Sequence, residues 1–267
     1  MRRHIIRSVA PLAALAMAAC SDGGSPSGQD QVNFNTATHP ASSSAVSQDV
    51  VSVGSSADAE TFTDGVNTLV ITRVQLVLRE IELHRAGVTA DCGEASDDCA
   101  ELELGPVMLD LPLGTAAAGA ARNFSVDVAT GSYDKVEFKL QKATGSDDAA
   151  FVQAHPELAD ASVRVTGTFN GADFVFTSDV DTDMEFALNP PLSTSAAGAA
   201  ELTLFVDLRT WFEGNAGLLI DPTTALASLE HESLVESRIK SSLHAFEDED
   251  RDGSDDDGTA DQGSGDN

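Results

Sequence analysis

An all-β fold, an antiparallel β-sandwich of about eight strands with one C-terminal helix, is what this 267-residue sequence predicts. Three observations predict it. Apolar residues recur at every second position in segment after segment, polar turn residues separate the segments, and no strong helical period interrupts them before residue 223.

Taken in order, TLVITRVQLVL (68–78) and EIELHR (80–85) read as strands, and the apolar phase changes between Leu78 and Ile81, which predicts a bulge or bend in one long strand. VMLDLPL (107–113) and FSVDV (124–128) follow. In SYDKVEFKLQK, Val136, Phe138 and Leu140 alternate with Lys135, Glu137, Lys139 and Gln141, the pattern of a strand with one buried and one wet face. In VRVTGTFNGADFVFTSDV the pair Asn170-Gly171 predicts a two-residue hairpin turn. The register that follows sets Phe169 opposite Ala172, Gly167 opposite Phe174, Val165 opposite Phe176 and Val163 opposite Ser178, with the large aromatics on one face. MEFAL (184–188) and ELTLFVDL (201–208) complete the strands. Asp221 and Pro222 supply helix-start chemistry, and Val235, Ile239, Leu243 and Phe246 draw one apolar stripe for a surface helix. Trp211 and Phe212 read as core packing rather than as a ligand-stacking platform.

The chain opens MRRHIIRSVAPLAALAMAAC, with arginines ahead of an apolar run from Val9 to Ala19 too short to span a bilayer. That is the pattern of an export signal, 1–19. Its end, Met17-Ala18-Ala19-Cys20, resembles the lipobox of bacterial lipoproteins, where small residues admit the signal peptidase and the cysteine takes a diacylglycerol thioether. The resemblance implies lipidation at Cys20, and Ser21 looks like the outer-membrane default of that family's sorting rule. Residues 20–48, rich in Ser, Gly, Pro, Asn and Gln, read as a flexible tether. One sandwich domain with its helix (49–246) and an acidic tail (247–267) follow.

The formal charge is −29, with 15 Lys and Arg against 44 acids, which argues against nucleic acid as a partner and favours cationic partners or divalent metal. Cys92 and Cys99 flank a polar, Gly-containing segment, and in an exported protein they read as a disulfide clamping a hairpin loop. A metal site would need more ligands of the same kind, and a redox pair usually has only two residues between its cysteines.

The sharpest chemical signal lies in HAFEDEDRDGSDDDG (244–258). Asp248, Asp250, Asp252 and Gly253 give D-x-D-x-D-G, Ser254 and Asp256 take the seventh and ninth loop positions, and the expected helix enters from the correct side. The run resembles an EF-hand loop, or the short aspartate loops of dockerin and thrombospondin type-3 repeats. Thr259 stands where an EF-hand has its bidentate glutamate, so the resemblance implies low-affinity calcium, in the millimolar class of extracellular modules. The competing reading is a disordered, self-repelling tail. A second acidic stretch, Asp179, Asp181, Asp183 and Glu185, is either a calcium site or a solvated strand exit. No G-x-S-x-G, H-E-x-x-H, P-loop or dinucleotide fingerprint occurs in the chain.

The order ITRVQLVLREIELH, VMLDLPL, GSYDKVEFKL, a Gly-rich hairpin and VDLRTWF is similar to bacterial lipoproteins carrying a domain of unknown function with a transthyretin- or prealbumin-type sandwich. It covers about residues 68–212, with Gly131 and Tyr133 its most specific piece, and carries no functional residues across. The expected function is a lipid-anchored, non-enzymatic envelope module on the outer membrane or cell surface, held to the membrane by its lipid and binding an unknown protein or polysaccharide. Alternatives are a periplasmic metal-handling protein, which needs ligands converging across strands, and a hydrolase acting on surface polymers, which needs a cleft with two carboxylates of divergent pKa.

Overall fold

Alternation of apolar and polar residues produces strands wherever it occurs, and in the computed structural model those strands build two packed sheets. The structure describes residues 29–39, 51–52, 58–87, 99–102, 105–114, 119–146, 148–195, 198–214 and 216–256. In chain order the strands are β1 (Gln29–Ala37), β2 (Val51–Ser52), β3 (Glu60–Thr63), β4 (Thr68–Arg85), β5 (Cys99–Leu102), β6 (Val107–Asp110), β7 (Ala121–Ala129), β8 (Gly131–Leu140), β9 (Val163–Phe169), β10 (Ala172–Ser178), β11 (Thr182–Thr194), β12 (Ala200–Val206) and β13 (Leu243–Glu247). The helices are α1 (Ala149–Ala154), α2 (Pro222–Ala225) and α3 (Leu229–Ser241). None is long and apolar enough to cross a membrane among the described residues.

The larger sheet has nine strands and is organised by β4. One side of this strand pairs with β3, β6 and β5 in turn, the other with β9 and then β8, all antiparallel. The register of β4 against β8 shifts between Leu78 and Glu80, where the sequence changes phase. That bulge keeps Leu76, Leu78, Ile81 and Leu83 all in the core. β9 and β10 pair in the predicted register, with Asn170 (φ 51°) and Gly171 (φ 83°) both left-handed in the turn. Phe174 and Phe176 face inward and meet Phe212 edge-on, with ring centroids 6.1 and 5.2 Å apart.

The smaller sheet has the order β13-β12-β1-β7. Phe34 of β1 meets Phe138 of β8 edge-on at 6.2 Å, joining the two sheets through one core. The Tyr133 hydroxyl donates to the Ala129 carbonyl at 2.5 Å and closes the β7–β8 turn, the use that sandwiches make of a tyrosine corner.

Two sequence expectations are corrected here. Residues 29–37, placed in a flexible tether, form a central strand, parallel to β12 and antiparallel to β7. Val32 and Phe34 enter the core, while the Asn33 and Asn35 amides donate to the Glu201 carboxylate at 2.8 and 3.0 Å, so the polar residues that suggested a linker are paired within the sheet. The predicted long C-terminal helix is divided. Asp221 caps α2, Ser228 caps α3, and α3 stops at Ser241, after which β13 pairs with β12. Val235 and Ile239 stay on the buried helical stripe, whereas Leu243 and Phe246 are buried from a strand. Trp211 is fully buried, and its indole N–H donates to Ser242 Oγ at 2.7 Å where the helix turns into that strand. Cys20 and Cys92 lie outside the described residues, and the backbone of Cys99 lies opposite His84.

Candidate metal centre

β13 delivers the aspartate loop to the sheet. The Asp248 amide donates to the Glu201 carbonyl at 3.2 Å, so the first loop residue is tied to β12 before the chain turns. Its side chain is wholly buried. The Thr203 hydroxyl donates to Oδ2 at 2.9 Å, the Gly253 amide to the same oxygen at 3.1 Å and the Asp252 amide to Oδ1 at 2.9 Å. Burial, helped by the nearby Asp252 carboxylate, nonetheless pushes the Asp248 carboxyl above the usual range. A cation would favour its charged form.

Beyond Asp248 the backbone coils around the carboxylates. Arg251 (φ 57°) and Gly253 (φ 80°) are left-handed, and the Arg251 amide returns to the Asp248 carbonyl at 3.2 Å. The Glu249 amide donates to Asp256 Oδ2 at 2.7 Å, drawing the far end of the loop back to its start. One oxygen each from Asp248, Asp250 and Asp256 lies within 4.8 Å of the others. Calcium–oxygen distances of about 2.3–2.6 Å allow ligand oxygens that far apart around one ion.

Of the four predicted aspartates, Asp248, Asp250 and Asp256 therefore converge. Asp252 is not in that group; its Oδ1 accepts from the Ser254 amide at 2.7 Å, as Asp250 Oδ1 accepts from the Asp252 amide at 3.1 Å. The expected helical entry is corrected: a strand leads into the loop, which separates its frame from that of an EF-hand.

The loop is docked on the smaller sheet. The Ala120 amide donates to the Arg251 carbonyl at 2.9 Å, and a Cβ at Gly119 would sit 2.5 Å from that oxygen, so only glycine admits the approach. Sequence reasoning missed Thr203 and Gly119, which carry no local signal because their partners are distant in the chain.

The second acidic stretch does not converge. Asp179 meets Lys142 at 2.7 Å, Asp181 meets Gln141 at 2.9 Å, Asp183 meets Lys139 at 3.4 Å and Glu185 meets Lys135 at 3.2 Å. The hydrogen bond from Lys142 holds the Asp179 carboxyl below the usual range. Each acid thus has its own partner on or just beyond β8. No protein-family model matches the chain, and no curated protein or solved structure shows significant similarity to it.

Proposed function

We propose that this chain is a lipid-anchored, non-enzymatic module of the bacterial cell envelope, held by a diacylglyceride at Cys20 to the outer membrane or cell surface. Its sandwich is stiffened by a low-affinity calcium ion in the 248–256 loop and presents a binding face to an envelope protein or polysaccharide. The observation that carries the calcium reading is the convergence of Asp248, Asp250 and Asp256 on a loop anchored to both β12 and the entry to β7. The anchor is supported by the Met17-Ala18-Ala19-Cys20 pattern and by the acidic composition, which suits an exported, cation-exposed surface.

The test is a calcium titration of the full-length protein by calorimetry and thermal melting, beside Asp250→Asn/Asp256→Asn. The expected Kd is about 0.1–1 mM. At 10 mM calcium that stabilises the fold by about 1.4–2.7 kcal/mol and raises the melting temperature by about 3–10 °C. The double variant should lose both signals. Absence of heat and of any melting shift in the parent overturns the calcium reading. Mass spectrometry of the exported protein that finds no diacylglyceryl thioether on Cys20 overturns the anchor.

A further inference from the structure

We infer that the outer face of the larger sheet carries a second metal site, built from Glu82, His84 and Glu137, that takes a zinc-class divalent ion. It goes beyond the calcium reading and does not depend on it.

Strand alternation places these residues together. Ile81 and Leu83 point into the core, so Glu80, Glu82 and His84 share the outer face of β4, and Lys135, Glu137 and Lys139 share that face on β8. The register then sets Glu82 opposite Glu137 and Glu137 opposite Glu185, with the backbone of Glu101 opposite Glu82 on the other side. Like charges directly opposite on neighbouring strands are destabilising, and the Lys135 ammonium supplies one positive charge to Glu137 and Glu185.

The imidazole distinguishes the cluster from a solvated acidic face. His84 is 9 % exposed and its Nε2 lies 3.0 Å from Glu137 Oε1 and 3.7 Å from Glu82 Oε2. A tetrahedral zinc with bonds of about 2.0–2.2 Å has ligand–ligand edges of roughly 3.3–3.5 Å, and the two distances straddle that value. One donor atom from each of the three residues lies within 4.8 Å of the others. A nitrogen beside two carboxylates suits zinc better than calcium, which takes oxygen alone.

Lys135 does not block the site. Its ammonium bridges Glu137 at 2.7 Å and Glu185 at 3.2 Å, so it keeps Glu185 when Glu137 turns to a metal. A small hollow lined by Glu80, Glu82, Glu137, Lys139 and Asp183 opens beside the two carboxylates.

The test uses the EDTA-stripped full-length protein carrying Asp250→Asn/Asp256→Asn, so that the calcium loop cannot answer, titrated with zinc chloride by calorimetry and by competition with a chromogenic indicator. One equivalent of zinc should bind and should survive 10 mM calcium. His84→Asn and Glu137→Gln, each added to that background, should weaken binding by more than the roughly 10–100-fold that loss of an outer-shell partner costs, with unchanged circular dichroism. Cobalt(II) should give the intense visible absorption of a tetrahedral site, lost in both variants. Absence of saturable zinc binding overturns the site, as does binding that neither variant weakens.

Discussion

Replacing Gly119 with alanine tests whether the aspartate loop owes its geometry to its docking on the sheet. Gly119 has φ +91°, and a Cβ there would stand 2.5 Å from the Arg251 carbonyl oxygen, against an ordinary contact of at least 3.4 Å. Arg251 must therefore withdraw by about 0.9 Å, enough to break the 2.9 Å hydrogen bond from Ala120. Loss of that bond costs about 0.5–1.5 kcal/mol, and alanine in the left-handed region about 1–3 kcal/mol more. A penalty of about 2 kcal/mol on the docked loop weakens calcium roughly thirtyfold, at 1.4 kcal/mol per decade. Parallel calorimetry and melting curves, with and without 10 mM calcium, read the effect. Gly119→Ala should keep the β-sheet circular dichroism of the parent and lose most of its calcium-dependent rise in melting temperature. Parental calcium affinity in Gly119→Ala would refute the argument, because the loop would then hold its carboxylates without the sheet.

A Cβ at Gly167 would overlap the Val70 carbonyl oxygen, a backbone atom of the strand paired with it, so Gly167→Ala should cost about 3 kcal/mol or more; a urea midpoint within about 1 kcal/mol of the parent would contradict the β4–β9 pairing. Glu60 is buried, yet hydrogen bonds from His39 at 2.8 Å and from the Gly114 amide at 2.5 Å outweigh the burial and hold its carboxyl below the usual range. Its contribution is therefore present above an unfolded value of about 4.3 and is lost as pH falls through the lower folded one, so the stability gap between parent and Glu60→Gln should be about 1–3 kcal/mol at pH 7 and shrink below pH 4. Urea titrations giving a gap constant across that range would count against it.

How much of this was legible in the sequence depended on whether a residue's partner was near it in the chain. The hairpin at Asn170-Gly171 was readable to single pairs, because turn chemistry and alternation lie in one continuous stretch. The bulge after Leu78 was readable for the same reason. β1 was not, since Asn33 and Asn35 look like linker residues until Glu201, 168 and 166 positions away, accepts from them. The end of α3 was misread because Leu243 and Phe246 fit a helical repeat in spacing, while the pairing with β12 that claims them is invisible locally. Within the aspartate loop the spacing named the acids, and three of them, Asp248, Asp250 and Asp256, gather, but Asp250 and Asp252 each accept from the amide two residues on, so which carboxylates meet depends on the coiling of the loop and not on their local chemistry. Glu82 and His84 were read only as part of a strand and Glu137 as part of a wet face, and their meeting depends on β4 pairing with β8.

The charge balance explains why metal sites are the chemistry to expect of this fold. With 44 acids and 15 Lys and Arg, the chain cannot supply a cation to each carboxylate. Where it does, at Asp179 and Asp183, each acid stands beside its own lysine on or after β8. Where it does not, carboxylates are gathered together: Asp248 is buried among amides and a hydroxyl, and the glutamate row across β4, β8 and β11 shares Lys135. Exposed like charges are screened by monovalent salt over about 8–10 Å, but a wholly buried carboxylate such as Asp248 is screened far less. A directly coordinated divalent ion neutralises such a group in a way that bulk salt cannot, so monovalent salt should not substitute for calcium in stabilising the loop.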